Sequence, residues 1–136
     1  PGHLLNGEWT GHNRHTNYMG IIGWGLGELG KELPPRSARK AEVKRHSTRM
    51  MNCLLQRLEP SAGIAQHLER GPHAGAWVSQ SLMTAIACTQ AFDLPVDDLM
   101  RTLAGWIAVN GNSECLWAHA YNLAALASYI RQRAQQ

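Results

Sequence analysis

HAGAWVSQSLMTAIACTQAF, residues 73–92, is the stretch that decides the fold class. Between Arg70 and Asp93 there is no Asp, Glu, Lys or Arg. A segment of this length is long enough for five turns of helix. A helix uncharged all round belongs at the buried centre of a bundle or at a subunit interface. The expectation is an all-α chain with amphipathic helices on either side of this one.

Downstream, Leu94-Pro95 opens a helix with Asp97 and Asp98 in its first turn, where the dipole favours acids. Val96, Leu99, Met100, Leu103 and Ile107 recur at helical spacing, and Asn110-Gly111 supplies a stop. The last helix is capped by Asn112 or Ser113, begins with Glu114 and ends with Arg131 and Arg133. It carries Leu116, Ala120, Leu123, Ala127, Ile130 and Ala134 at spacings of four and three, an apolar stripe whose alanines imply close approach to a neighbour.

Upstream, Pro60-Ser61 starts a short helix carrying Ile64, Ala65 and Leu68, which Gly71-Pro72 ends. Before it, residues 37–58 place Val43, Ser47, Met50, Leu54 and Leu58 on one stripe. Residues 35–136 therefore read as one compact bundle of about five helices. At 136 residues, 44% of them apolar and 17% charged, the chain buries enough surface to need no metal or disulfide.

Residues 1–34 read differently. Eight of the thirteen glycines fall in residues 1–30, where no helical or strand period persists. Trp9, Tyr18, Trp24, Leu26 and Leu29 sit among them, too apolar for water on a backbone too loose to build a core. This arm, stopped by Pro34-Pro35, is expected to lie on a partner protein, with those five residues as the contact, or on its own domain as a lid over Trp77 or Trp106. GLGELG, residues 25–30, matches the GxGxxG dinucleotide fingerprint. That fingerprint works only between a strand and a helix, and the prolines follow at once, so the glycines read as a loop.

The net charge is +3, yet Lys31, Arg36, Arg39, Lys40, Lys44, Arg45 and Arg49 face only Glu32 and Glu42 within nineteen residues. That window carries +5, so the remainder of the chain carries −2 and one basic patch stands out. On a helix, Arg36, Lys40 and Lys44 share a side with the later apolar stripe, while Arg45 and Arg49 lie opposite. The helix is expected to project beyond the core, charged nearly all round, and to enter it near Met50. Such a patch suits weak, non-specific nucleic-acid binding, an acidic protein surface, or plain solvation. The helices after Gly71 and Gly111 lack Lys and Arg for about twenty residues, which argues against a base-reading helix-turn-helix.

Cys53, Cys88 and Cys115 are odd in number and set in apolar contexts, as expected of buried, reduced thiols in a cytoplasmic protein. His12/His15 and Cys115/His119 have ligand spacing, but neither pair recurs as a knuckle, so no metal is expected. No acids cluster with histidines as a catalytic pair, and no cofactor motif survives inspection. No run of 18 apolar residues could span a membrane, and nothing at the N-terminus resembles a signal peptide. The functional expectation is a non-enzymatic regulatory or adaptor protein, a homodimer that modulates another protein such as a transcription regulator. Nucleic-acid binding through residues 36–49 is the alternative, and a small enzyme or zinc protein comes third.

Overall fold

The computed structural model describes residues 16–57, 76–112 and 115–135. They form five α-helices and no strand: α1 (Thr16–Glu32), α2 (Ala38–Arg57), α3 (Ala76–Phe92), α4 (Asp97–Asn110) and α5 (Leu116–Ala134). The protein is all-α, and among the described residues no helix is long and apolar enough to cross a membrane. The short helix expected after Pro60, with Trp9, His12 and His15, lies outside the described residues.

The uncharged stretch is the centre of the bundle rather than a subunit interface. From Val78 to Cys88 every residue of α3 except the half-buried Met83 is enclosed, and α3 touches all four other helices. Two of its polar side chains are bonded within the bundle: Thr84 Oγ1 donates to the Gln80 carbonyl of its own helix at 2.9 Å, and the Ser79 hydroxyl donates to Asn122 Oδ1. Its Leu82 shares one core cluster with Met50, Met51, Leu99, Met100 and Ile107. The helix stops at Asp93, whose φ of 53° is left-handed and whose N–H returns to the Thr89 carbonyl at 2.8 Å.

Half of the expected arm is a helix. α1 makes the most extensive helix–helix contact of the fold, laid along α3. The glycines that argue for looseness are what permit it. A Cβ on Gly27 would stand 2.6 Å from Ala87 Cβ and 2.9 Å from the Ala87 backbone carbon. One on Gly23 would stand 2.5 Å from Thr84 Cγ2, and one on Gly30 would enter the Phe92 ring. Spaced by four and three, these glycines form a groove down one side of α1, and α3 lies in it nearly backbone to backbone. Gly25 has open space instead. The close contact offsets the roughly 1 kcal/mol per glycine that helix formation forfeits relative to alanine. Residues 16–32 therefore pack with the bundle, and the loop reading of GLGELG gives way to a helical one.

α2 differs from expectation through the same helix. Ser37 caps it, its hydroxyl accepting from the Lys40 N–H at 3.1 Å and donating to the Pro34 carbonyl at 2.9 Å. Val43 and Ser47 are already buried, about two turns and one turn before Met50. α2 contacts α1 more extensively than α3, and Ser47 lies near Cys88 of α3, so α2 lies on the body instead of projecting.

α4 buries Leu99, Met100, Leu103, Ala104 and Ile107, as its period predicts, and ends at Gly111. There a side chain would strike the Ile107 carbonyl, 2.5 Å from a built Cβ. α5 is turned the other way from its expected orientation. It buries Ala118, Asn122, Ala125 and Gln132, and starts from Cys115 without a side-chain cap. Asn122 fits there because its Nδ2 donates to the Gly111 carbonyl at 2.6 Å while its Oδ1 accepts from Ser79. Gln132 Oε1 accepts from Gln90 Nε2 at 2.8 Å.

Candidate functional site: two exposed helix faces

Of the five expected contact residues of the N-terminal stretch, the structure describes the side chains of three. Trp9 lies outside the described residues, and Tyr18 falls in α1 with its side chain outside them too. Leu26 is half-buried against the core. Trp24 is half-buried, its indole N–H donating to Glu28 Oε1 at 3.1 Å, and Leu29 is 43% exposed. At roughly 100° per residue Leu26 and Leu29 share one face of α1, about 60° apart, and Trp24 lies on the opposite side.

The six expected basic residues do come together around the first turns of α2. Arg36, Arg39, Lys44, Arg45 and Arg49 are exposed. Lys40 is half-buried and already used: its ammonium donates to the Leu33 carbonyl at 3.4 Å, beside the end of α1. Among the described residues none of the six makes an ion pair. Lys40/Lys44 and Arg45/Arg49 repeat like charges at i,i+4, a spacing that repels. This surface attracts anions and carries no acid of its own beyond Glu42.

The second face is the outer side of α5, which sequence reasoning had turned inward. Leu116 is 84% exposed, Leu123 57% and Ile130 65%, with Ala120 and Ala134 exposed and Ala127 half-exposed between them. These six fall within an arc of about 80°. Trp117 and Tyr121 border the stripe, also exposed, with their rings edge to face at a centroid distance of 6.0 Å. The described part of this side holds no charge until Arg131. A signal for the orientation exists in the sequence: Ala118, Asn122 and Ala125, at i, i+4 and i+7, are the small residues that can sit close against α3.

Between α1, α3 and α5 lies an open cleft of about 240 Å³, lined by Glu28, Lys31, Gln90, Ser128, Arg131 and Gln132, with Met83 and Ile86 at its floor. Its polar groups are engaged with one another. Glu28 pairs with Lys31 at 2.5 Å, and Arg131 Nη2 donates to Ser128 Oγ at 3.0 Å. The space is smaller than the usual small-molecule site.

The thiols divide. Cys88 is fully buried, and burial pushes its thiol from 9.0 up to about 11. The nearby Ser47 hydroxyl pulls it back slightly but is not aligned for a full hydrogen bond. Cys115, expected to be buried, is half-exposed where α5 begins, and the side chain of Cys53 lies outside the described residues. His119 is half-buried one turn from Cys115. Among the described residues no three His, Cys, Asp or Glu gather as a metal site. Compared with known protein families, with curated proteins and with solved structures, the chain matches none.

Proposed function

We propose that this protein is a small α-helical regulatory or adaptor protein that acts by contact with another protein and performs no chemistry of its own. The outward face of α5 supports the reading. Leu116, Leu123 and Ile130 stand more exposed than buried on a side without charge. Contiguous apolar surface of this kind, bordered by Trp117 and Tyr121, is characteristic of interface cores. A photo-reactive residue at Leu123 in the native cell tests it, with one at the exposed Arg101 of α4 as the control. Protein adducts at Leu123 and not at Arg101 are expected. If Leu123 yields none, the reading fails.

A second reading rests on the basic N-terminal part of α2, where five exposed bases, spread round the helix, lack ion pairs among the described residues. Engaged with duplex DNA, five phosphate contacts give a log–log salt slope of about −4.5. The expected binding is weak at physiological salt and indifferent to sequence, since α2 lies on the body and presents only its flank. Sub-micromolar, sequence-specific binding in titrations at 150 mM salt would displace the adaptor reading.

A further inference from the structure

The outer stripe of α5 has a pattern that fits its own copy. Leu116, Ala120, Leu123, Ala127, Ile130 and Ala134 follow the four-three spacing of a coiled-coil seam, with large and small side chains in strict alternation. We propose that α5 pairs antiparallel with α5 of a second copy across a two-fold axis level with Ala125. This rests on the reading of that face as a protein-contact surface, and names its partner.

Two observations choose this occupant and this direction. Laid antiparallel about Ala125, Leu116 meets Ala134 of the second copy, Ala120 meets Ile130, and Leu123 meets Ala127. Every layer then sets a large side chain against a small one, the condition for interdigitation without voids. In a parallel pair, Leu faces Leu and Ala faces Ala. The charges agree. Arg131 and Arg133 end α5, so a parallel pair sets four cations side by side. An antiparallel pair separates them by about 18–24 Å along the axis. Trp117 and Arg131 also share a flank of α5, about 40° apart, and reversal brings one copy's indole near the other's guanidinium.

The area sets the strength. A single seam about 27 Å long and about 10 Å wide covers only about 270 Å² per copy, below the usual size of specific interfaces, so the pair is weak and reversible. The twofold contact is isologous, closing at two copies without forming filaments.

Sedimentation equilibrium of the full chain across micromolar concentrations is the test, with helical content measured for each variant. The wild type is expected to pass from 15.0 kDa to twice that mass. Ala120→Glu and Ile130→Lys, both at exposed positions, should each weaken pairing by about tenfold or more, equivalent to the loss of one well-packed layer. Combined in one chain they should restore it, because the antiparallel seam sets acid against base at both ends. A parallel seam would set like against like and stay monomeric. A wild type of 15.0 kDa throughout, single variants without effect, or a double variant that fails to recover would each overturn the proposal. A monomer whose Leu123 adducts lead to residues 1–15, to residues 58–75 or to a different protein also overturns it. An adduct with a different protein would leave the protein-contact reading standing; no adduct at all would remove both.

Discussion

Cys88 lies where three helices meet: on α3, with the Ser47 hydroxyl of α2 nearby and the Gly23 carbonyl of α1 at 3.8 Å from its sulfur. Burial favours the neutral thiol, so the folded value of about 11 stands above the ordinary 9.0. The sign follows. Below pH 9 the thiol is neutral whether the chain is folded or unfolded, and it contributes its full share. As pH climbs from 9 toward 11 the unfolded chain releases a proton that the folded one retains, and stability falls by up to about 3 kcal/mol. Denaturant unfolding at pH 8 and pH 10.5 should show this extra loss in the wild type and not in Cys88→Ala. Equal pH dependence in both chains would show that the thiol ionises freely. Thiol reagents at neutral pH should reach the half-exposed Cys115 long before Cys88.

At the scale of elements, α1 and α5 carry the lesson. Gly27→Ala and Gly25→Ala are chemically the same change two residues apart, yet opposite signs are expected. At Gly27 the new methyl meets Ala87 at 2.6 Å and must push α1 off α3, at a cost of about 1–3 kcal/mol. At Gly25 it meets nothing and should stabilise α1 by about 1 kcal/mol through helix propensity. Thermal unfolding of the two variants decides this, and melting shifts of the same sign would sink the glycine-groove account. The pair also explains what the sequence could reveal. α3 was legible as a buried helix because an absence of charge over twenty residues leaves it no face for water, whether in a bundle or at an interface. α1 was not, because the complement of its glycines is Thr84, Ala87 and Phe92, some sixty residues away. The α5 stripe was legible as a stripe, since period assigns residues to a common face. Its direction was only half legible: Ala118 and Ala125 mark the close face, but Asn122 becomes a core residue only once Ser79 and the Gly111 carbonyl are known to be beside it. The basic residues are a set in the sequence itself, while the surface that lays α2 flat depended on the unforeseen α1.

For the whole molecule, charge is distributed unevenly. Three exposed or partly exposed ion pairs serve the described surface, Lys31–Glu28, Arg101–Asp98 and Arg133–Asp97, and pairs of this kind contribute little. The repulsion along α2 is spread over more groups, since its bases repeat at i,i+4 without acidic partners among the described residues. Screening should therefore relieve more repulsion than it removes attraction. The melting temperature is expected to rise between about 0.01 and 0.15 M salt, over which the screening length falls from about 30 to 8 Å. Arg45→Glu should raise stability at low salt and flatten that dependence. A melting temperature that falls with salt would mean that the ion pairs, rather than the α2 bases, govern the balance.

The groove between α1 and α3 also has a consequence for synthesis. α1 is a poor helix by itself, with five glycines among its seventeen residues, and a helix of that length is marginal in water even with better formers. The Cys88 thiol that reaches the Gly23 carbonyl follows it by 65 residues. At a translation rate of roughly 5–20 residues per second, the ribosome releases α1 several seconds before the helix that completes it. Through that interval Ile22 and Leu26 wait without their groove partner. A nascent chain arrested before residue 76 should accordingly be digested within residues 16–32, and one arrested with α3 fully emerged should resist.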